Sequence, residues 1–462
     1  MKHFVYILAF ALSGISVANA QNLEGYWSGV LKVSPTIDLS LSINLTKSEN
    51  DVWSATLDSP DQGVMDIPVT SVKVDGLQLI IIQKDLNLSY NATYLKESDV
   101  LEGKFEQNGM SIPLVLKRSV FSRQLLTKWQ RQRTSSSYLQ NECFYNGVVG
   151  TLAGTVTKPK QKLKDKLPAF LLISGSGAQD RDETIAGHKP FEQLADCLTK
   201  AGYIVLRYDD RGTGKSSGKY FEATIQDLMQ DAACGVEYLR SLPDVDASQV
   251  FLLGHSEGGL IASMLATQDD KIAGVVLLAA PILPLDELLI EQNNALGELA
   301  GLPQELLRKN ESINRYVYSF VKKQPTLKNK EILEKQLSDY LRKEMFALGL
   351  VEPELSKQVS LMIQQVLSPG FHSLIKEHPE RYLQKVQCPV WVLQGELDKQ
   401  VLPHNASLVM RYCPQAKVKL FSGLNHLFQP ARTGNVTEYA QIPTTIAQEV
   451  LLWLREQFLV EE

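Results

Sequence analysis

The stretch Val250–Ala266, VFLLGHSEGGLIASMLA, decides the fold. Val250 to Leu253 read as a short buried strand, and the residues from Leu260 onward read as a helix packed on the same sheet. Between them stands G-H-S-E-G-G, a sharp strand-to-helix turn with Ser256 at its tip. A serine held there sits in a strained backbone position, and only glycines such as Gly254 and Gly258 let strand and helix approach closely enough. The segment therefore predicts a nucleophile elbow, with Ser256 as the candidate nucleophile.

Outward from the elbow, apolar strands alternate with amphipathic helices. Upstream lie GVVGTLAGTV (147–156), AFLLISG (169–175), HKPFEQLADCLTKAG (188–202), IVLRYDD (204–210) and TIQDLMQDAACGVEYLR (224–240). Downstream, IAGVVLLAAP (272–281) is followed, after a long interruption, by CPVWVLQGELD (388–398), ASLVMRYC (406–413), AKVKLFSG (416–423) and TTIAQEVLLWLREQF (444–458). This order predicts an α/β fold with a mostly parallel, doubly covered sheet. The interruption, 285–385, is charged and helix-forming without strand pattern, too long for a loop, and reads as a helical cap.

A different pattern occupies Gly25–Arg118. Segments such as IDLSLSINL (37–45), LQLIII (77–82) and IPLVLK (112–117) alternate with period two between turn clusters, which predicts an antiparallel, barrel-like all-β unit. Its opening, GYWSG (25–29), resembles the G-x-W of lipocalin-like barrels. Residues 119–145 are basic and polar, and read as a linker or connecting helix. Residues 1–20 carry Lys2, an apolar run from Phe4 to Val17 and the A-x-A of Ala18 and Ala20, which predicts a cleaved signal peptide and a periplasmic or secreted protein. The expected plan is thus a signal peptide (1–20), an all-β domain (21–118), a linker (119–145) and an α/β domain (146–462) containing the cap.

Composition narrows the functions. With 462 residues, 44% hydrophobic and 21% charged, the chain has the make-up of an ordinary folded protein. It carries 47 basic and 52 acidic residues, a formal net charge of -5, with no dense Lys/Arg cluster to track phosphates, so nucleic acid is not an expected partner. The apolar run of the leader is shorter than the ~20 residues a bilayer span needs. The cysteines (143, 197, 234, 388, 413) show no C-x-x-C spacing and read as buried small apolar residues, with Cys388 and Cys413 the one pair considered for a bridge.

A serine hydroxyl needs a base, and the base needs an acid to fix its tautomer. After Ser256, Asp398 follows the strand in VWVLQGELD and His426 follows the strand in VKLFSGLNH, so both stand at carboxyl ends of strands, where Ser256 also lies. Glu396 is the near rival to Asp398. His188, His372, His378 and His404 read as surface or structural residues, and His255 as pointing away from the serine. For the developing oxyanion, one donor is the backbone N–H of Glu257 and the second comes from S-G-S-G (174–177), with Ser176 chosen and Gly177 as rival. The Glu257 side chain reads as a helix N-terminal charge or pocket wall. S-G-S-G lacks the third glycine of a dinucleotide fingerprint, and DDRGTGKS (209–216) has Asp209 where a P-loop has its first glycine. Metal-ligand spacings are absent, and the expected chemistry uses no cofactor.

Taken in order, ISGSGAQDRD (173–182), RYDDRGTGKSSG (207–218), LGHSEGG (253–259), LQGELD (393–398) and GLNH (423–426) resemble the α/β-hydrolase family, particularly its capped, secreted bacterial branch near serine aminopeptidases, acyl-thioester hydrolases and dienelactone-hydrolase-like esterases. The resemblance implies triad roles for Ser256, Asp398 and His426 and a structural role for the loop from Asp209 or Asp210 to Gly214. The chain departs from it at Ser174, where many members carry His, and the cap shows no motif assignable to a substrate. The expected function is a serine hydrolase acting on a small acyl ester, thioester or amide through an acyl-serine. An aminopeptidase or N-acyl amidase acting on a short peptide is the alternative, with Glu287, Glu291 and Glu298 in the cap as candidate holders of an ammonium. The complete Ser–Asp–His set argues against a third reading, a non-catalytic binding protein with a relic hydrolase domain.

Overall fold

The computed structural model describes residues 18–20, 23–34, 37–48, 52–59, 64–96, 98–107, 110–118, 138–160, 164–442 and 444–459. Most of the expected signal peptide, and the part of the expected linker before Tyr138, lie outside them.

The alternating segments form a curled ten-stranded sheet from β1 (Ala18–Ala20), β2 (Gly25–Ser34), β3 (Ile37–Lys47), β4 (Trp53–Ser59), β5 (Val64–Pro68), β6 (Ser71–Gly76), β7 (Gln78–Gln83), β8 (Leu88–Leu95), β9 (Val100–Gln107) and β10 (Met110–Arg118). Their order is β1-β6-β7-β8-β9-β10-β2-β3-β4-β5, antiparallel except for the β1–β6 pair. Alternation sends Leu41, Ile43 and Leu45 inward with Leu79, Ile81, Leu114 and Leu116. Trp27 is fully buried among them, its Nε1–H donating to Leu23 O at 2.9 Å. Its ring meets Tyr94 edge-on at 5.7 Å, and the Arg118 guanidinium lies 4.2 Å from its centroid. Trp27 thus joins the first long strand to the last, and Trp27→Ala is expected to destabilise this unit by about 3–5 kcal/mol. In the full chain the loss should appear as an earlier unfolding transition of the β unit in calorimetry.

The second sheet has eight strands in the order β11-β12-β14-β13-β15-β16-β17-β18: β11 (Tyr138–Gly147), β12 (Gly150–Pro159), β13 (Leu167–Ile173), β14 (Ile204–Tyr208), β15 (Val245–His255), β16 (Ile272–Leu278), β17 (Val390–Gly395) and β18 (Lys417–Phe421). From β14 onward the pairings within β13–β18 are parallel. Helices α1 (Pro190–Lys200), α2 (Ile225–Ser241), α3 (Glu257–Ala266), α10 (His404–Tyr412) and α11 (Gln448–Phe458) cover the two faces, α4 to α9 being the cap helices described below. Leu171, Leu252 and Val275 pack with α2 and α3, whereas Phe170, Leu253 and Val276 pack with α1 and α11. Successive residues of one strand thus enter opposite cores, which is why these strands read as unbroken apolar runs.

Residues 138–145, expected as the end of a linker, instead belong to β11, paired with β12 along its length. It is an edge strand with most side chains exposed, so hydrophobic patterning could not reveal it.

Between β16 and β17 the chain forms α4 (Leu285–Leu299), α5 (Gln304–Lys322), α6 (Lys330–Ala347), α7 (Glu354–Val366), α8 (Pro369–Leu374) and α9 (Pro379–Leu383). On α6, Leu333, Leu337, Leu341 and Met345 recur every fourth residue and bury one stripe against Val317, Val359 and Met362, giving the cap its own core. Among the described residues no helix is long and apolar enough to cross a membrane.

Candidate active site

Ser256 joins β15 to α3 with φ 52° and ψ −121°, a backbone conformation costing a non-glycine residue about 1–3 kcal/mol. The glycines around it admit no side chain. A Cβ on Gly254 would stand 2.1 Å from Gly258 O, and one on Gly258 would stand 2.1 Å from Ile173 O. The strain is therefore held by backbone contact on both sides of the serine.

Asp398 follows β17 and His426 follows β18. His426 Nδ1 lies 2.7 Å from Asp398 Oδ2, and both residues are buried. Three further donors fix the carboxylate: Gln394 Nε2 to Oδ2 at 2.7 Å, and the backbone N–H groups of Gln400 and Val401 to Oδ1 at 2.8 and 2.9 Å. With Nδ1 committed to Asp398, His426 presents Nε2 as its remaining nitrogen. The rival Glu396 is exposed. Among the described residues the Ser256 hydroxyl makes no hydrogen bond to His426; such contacts are often long without substrate and tighten in the Michaelis complex.

In the S-G-S-G loop, Gly175 N–H donates to Glu183 Oε1 at 2.6 Å and Gly177 N–H to the Tyr220 hydroxyl at 3.0 Å. Among the described residues, the N–H groups of Ser176 and Glu257 have no acceptor. That favours Ser176 over Gly177 as the second donor. Ser176 Oγ also donates to Glu257 Oε2 at 2.9 Å, so the two candidate donors are latched to each other through their side chains. Burial pushes the Glu257 carboxyl above its ordinary range, with the Ser176 and Tyr220 hydroxyls partly offsetting this. Ser176→Ala keeps the backbone N–H and removes only the latch, so it is expected to lower kcat less than tenfold, well short of the ~10²–10³ that follows loss of an oxyanion donor. Single-turnover acylation of the variant measures this.

The D-D-R-G-T-G loop braces the site. Asp210 accepts from Ser174 Oγ at 3.1 Å and Gln179 N–H at 2.9 Å, and burial raises its carboxyl well above the usual range despite those donors. Asp209 pairs with Arg181 at 2.6 Å. Ser174, the departure from the family pattern, thus serves as a donor that anchors the loop. Elsewhere, His188 lies 3.1 Å from Thr445 Oγ1, and His404 pairs with Glu291 on α4 at 3.2 Å. All five cysteines are free thiols, Cys388 and Cys413 included.

Sequence reasoning missed Gln394, Tyr220 and Glu183. Gln394 hides in an apolar strand, Tyr220 opens a three-residue 3-10 turn and Glu183 lies in a loop, both too short for periodicity. The polar residue inside VWVLQG was the only local signal, since a fully buried glutamine requires a partner.

An elbow at the end of a parallel strand, with an acid–histidine pair after the last two strands, defines an α/β hydrolase, and the chain belongs to that family: residues 188–429 match the model for "Serine aminopeptidase, S33". Esterase EstD of Thermotoga maritima is 28% identical over 283 residues, covering 61% of this chain and 58% of EstD, so the chain spans under two thirds of that relative. A monoglyceride lipase of Rattus norvegicus is 22% identical over 277 residues, covering 58% of this chain and 79% of the lipase. The α/β hydrolase GrgF from Penicillium has a TM-score of 0.43 at 16% identity, covering 70% of this chain and 98% of its own.

Proposed function

We propose that the protein is a serine hydrolase that cleaves a small acyl ester through an acyl-Ser256 intermediate. Ser256 Oγ attacks the acyl carbonyl while His426 Nε2 takes its proton, and Asp398 holds the imidazole in the tautomer that leaves Nε2 free to accept. The oxyanion is received by the N–H groups of Ser176 and Glu257. Collapse of the tetrahedral intermediate breaks the C–O bond, with His426 returning its proton to the leaving alcohol. Water, deprotonated by the same nitrogen, then attacks the acyl carbon and releases the acid and Ser256. The observation that carries this reading is the buried 2.7 Å contact between His426 Nδ1 and Asp398 Oδ2, made by residues that follow adjacent parallel strands and lie behind an elbow of φ 52°.

The cap contributes none of these groups and is assigned selection of the acyl chain. The leader-like pattern at 1–20 supports a periplasmic or secreted site of action, and cleavage after Ala20 would remove β1 and leave the other nine strands of the first sheet. The test is turnover of p-nitrophenyl acyl esters, acyl thioesters and aminoacyl anilides by purified protein. Ester cleavage is expected to dominate. Anilide cleavage without ester cleavage would overturn the substrate class.

A further inference from the structure

We propose that Glu183 and His255 form a buried charged pair that positions the oxyanion loop, the elbow and His426 as one unit. This rests on the reading of His426 as the base, and reaches residues which that mechanism does not use.

The geometry has three arms. Glu183 is 1% exposed and sits at φ 51°, a left-handed conformation that turns the 174–188 loop inward. Its Oε1 accepts from Gly175 N–H at 2.6 Å and lies 2.9 Å from His255 Nδ1. The other ring nitrogen, His255 Nε2, lies 3.0 Å from the backbone carbonyl of His426. Each arm ends beside a reacting group: Gly175 precedes Ser176, His255 precedes Ser256, and the third contact is to His426 itself. One carboxylate and one imidazole thereby tie together the loop, the elbow and the base, which come from separate parts of the chain.

The charge follows from the acceptors. Both nitrogens of His255 face an oxygen, one of a carboxylate and one of a backbone carbonyl. A neutral imidazole carries a single N–H and would set one lone pair against an acceptor, whereas an imidazolium donates to both. Burial pushes the His255 pKa down, but the Glu183 carboxylate, its hydrogen bond, the His426 carbonyl and the Asp398 charge outweigh it, and the net direction is upward. The titratable groups facing His255 are Glu183 from the loop, His426 with ring centroids 4.8 Å apart, and Asp398 just after β17.

The test is NMR of the full chain with isotope-labelled histidine, alongside kcat and KM on a small activated ester. The His255 ring is expected to stay imidazolium above the pH at which a free imidazole loses its proton, and to lose that upward shift in Glu183→Gln. The same substitution should lower kcat by on the order of tenfold or more with KM little changed, because loop, elbow and base are no longer held in register. A raised pKa stabilises the fold most fully below the unfolded value near about 6.5, and that stabilisation is lost as pH rises through the folded value. Melting temperatures of wild type and Glu183→Gln should therefore differ most near pH 6 and converge at alkaline pH. A wild-type His255 ring that titrates no higher than a free imidazole, or an unchanged kcat in folded Glu183→Gln, would overturn the proposal. The wild-type ring titration decides the charge even if the variant fails to fold, and it needs no turnover, so its outcome is separable from failure of the hydrolase reading.

Discussion

Replacing Ser256 by Ala is expected to lower kcat on an ester by a factor on the order of 10⁶ without unfolding the protein. The fold should tolerate the change because the Ser256 side chain makes no capping hydrogen bond to α3, and the contacts holding the strained turn are made by Gly254 and Gly258. The chemistry should not tolerate it, because no covalent intermediate forms and His426 has no hydroxyl to deprotonate. The residue left behind would still bind substrate and offer the Ser176 and Glu257 N–H groups, so a small background rate over water should persist. His426→Ala is expected to cost nearly as much, and the double variant no more than either alone, since the two act on one proton. Melting temperature and single-turnover acylation of the three variants check both halves.

Asp398→Asn is expected to cost on the order of 10⁴ in kcat, through a proton rather than through geometry. Asp398 Oδ1 accepts from two backbone N–H groups, so an asparagine placed there keeps its carbonyl oxygen on that side. Its NH₂ then faces His426 Nδ1 and Gln394 Nε2, both of which donate to Oδ2 in the native chain. The imidazole can satisfy the amide only by moving its proton to Nε2, the nitrogen that must accept from Ser256. Gln394 loses an acceptor in the same step, so a drop in melting temperature should accompany the loss of activity. Retention of more than about a tenth of wild-type kcat would show that Asp398 does not set the tautomer.

What could be read from the chain follows from where physical constraint is local. The elbow is legible because a strained serine between close-packed backbones demands glycines at fixed offsets, and Gly254 and Gly258 stand there. The inner parallel strands are legible because they bury both faces, leaving runs such as VVLL and VWVL. The cap is legible as a break in that rhythm. Edge strand β11 escaped because a strand with one paired edge and exposed faces has no need of apolar residues. Glu183 escaped for a different reason: a single carboxylate in a polar loop looks like solvent-facing charge until the fold turns it inward onto His255. Gln394 could have been suspected, since a glutamine within a buried strand must find partners, but only the fold shows that one of them is Asp398.

The central claim is that Ser256 is the acylated nucleophile, and the most direct measurement is peptide mapping by mass spectrometry after reaction of the full chain with a fluorophosphonate. The expected result is a stoichiometric adduct on the peptide containing GHSEGG, at Ser256, absent from Ser256→Ala and strongly slowed in His426→Ala. An adduct on another residue, or equal labelling of wild type and Ser256→Ala, would contradict it.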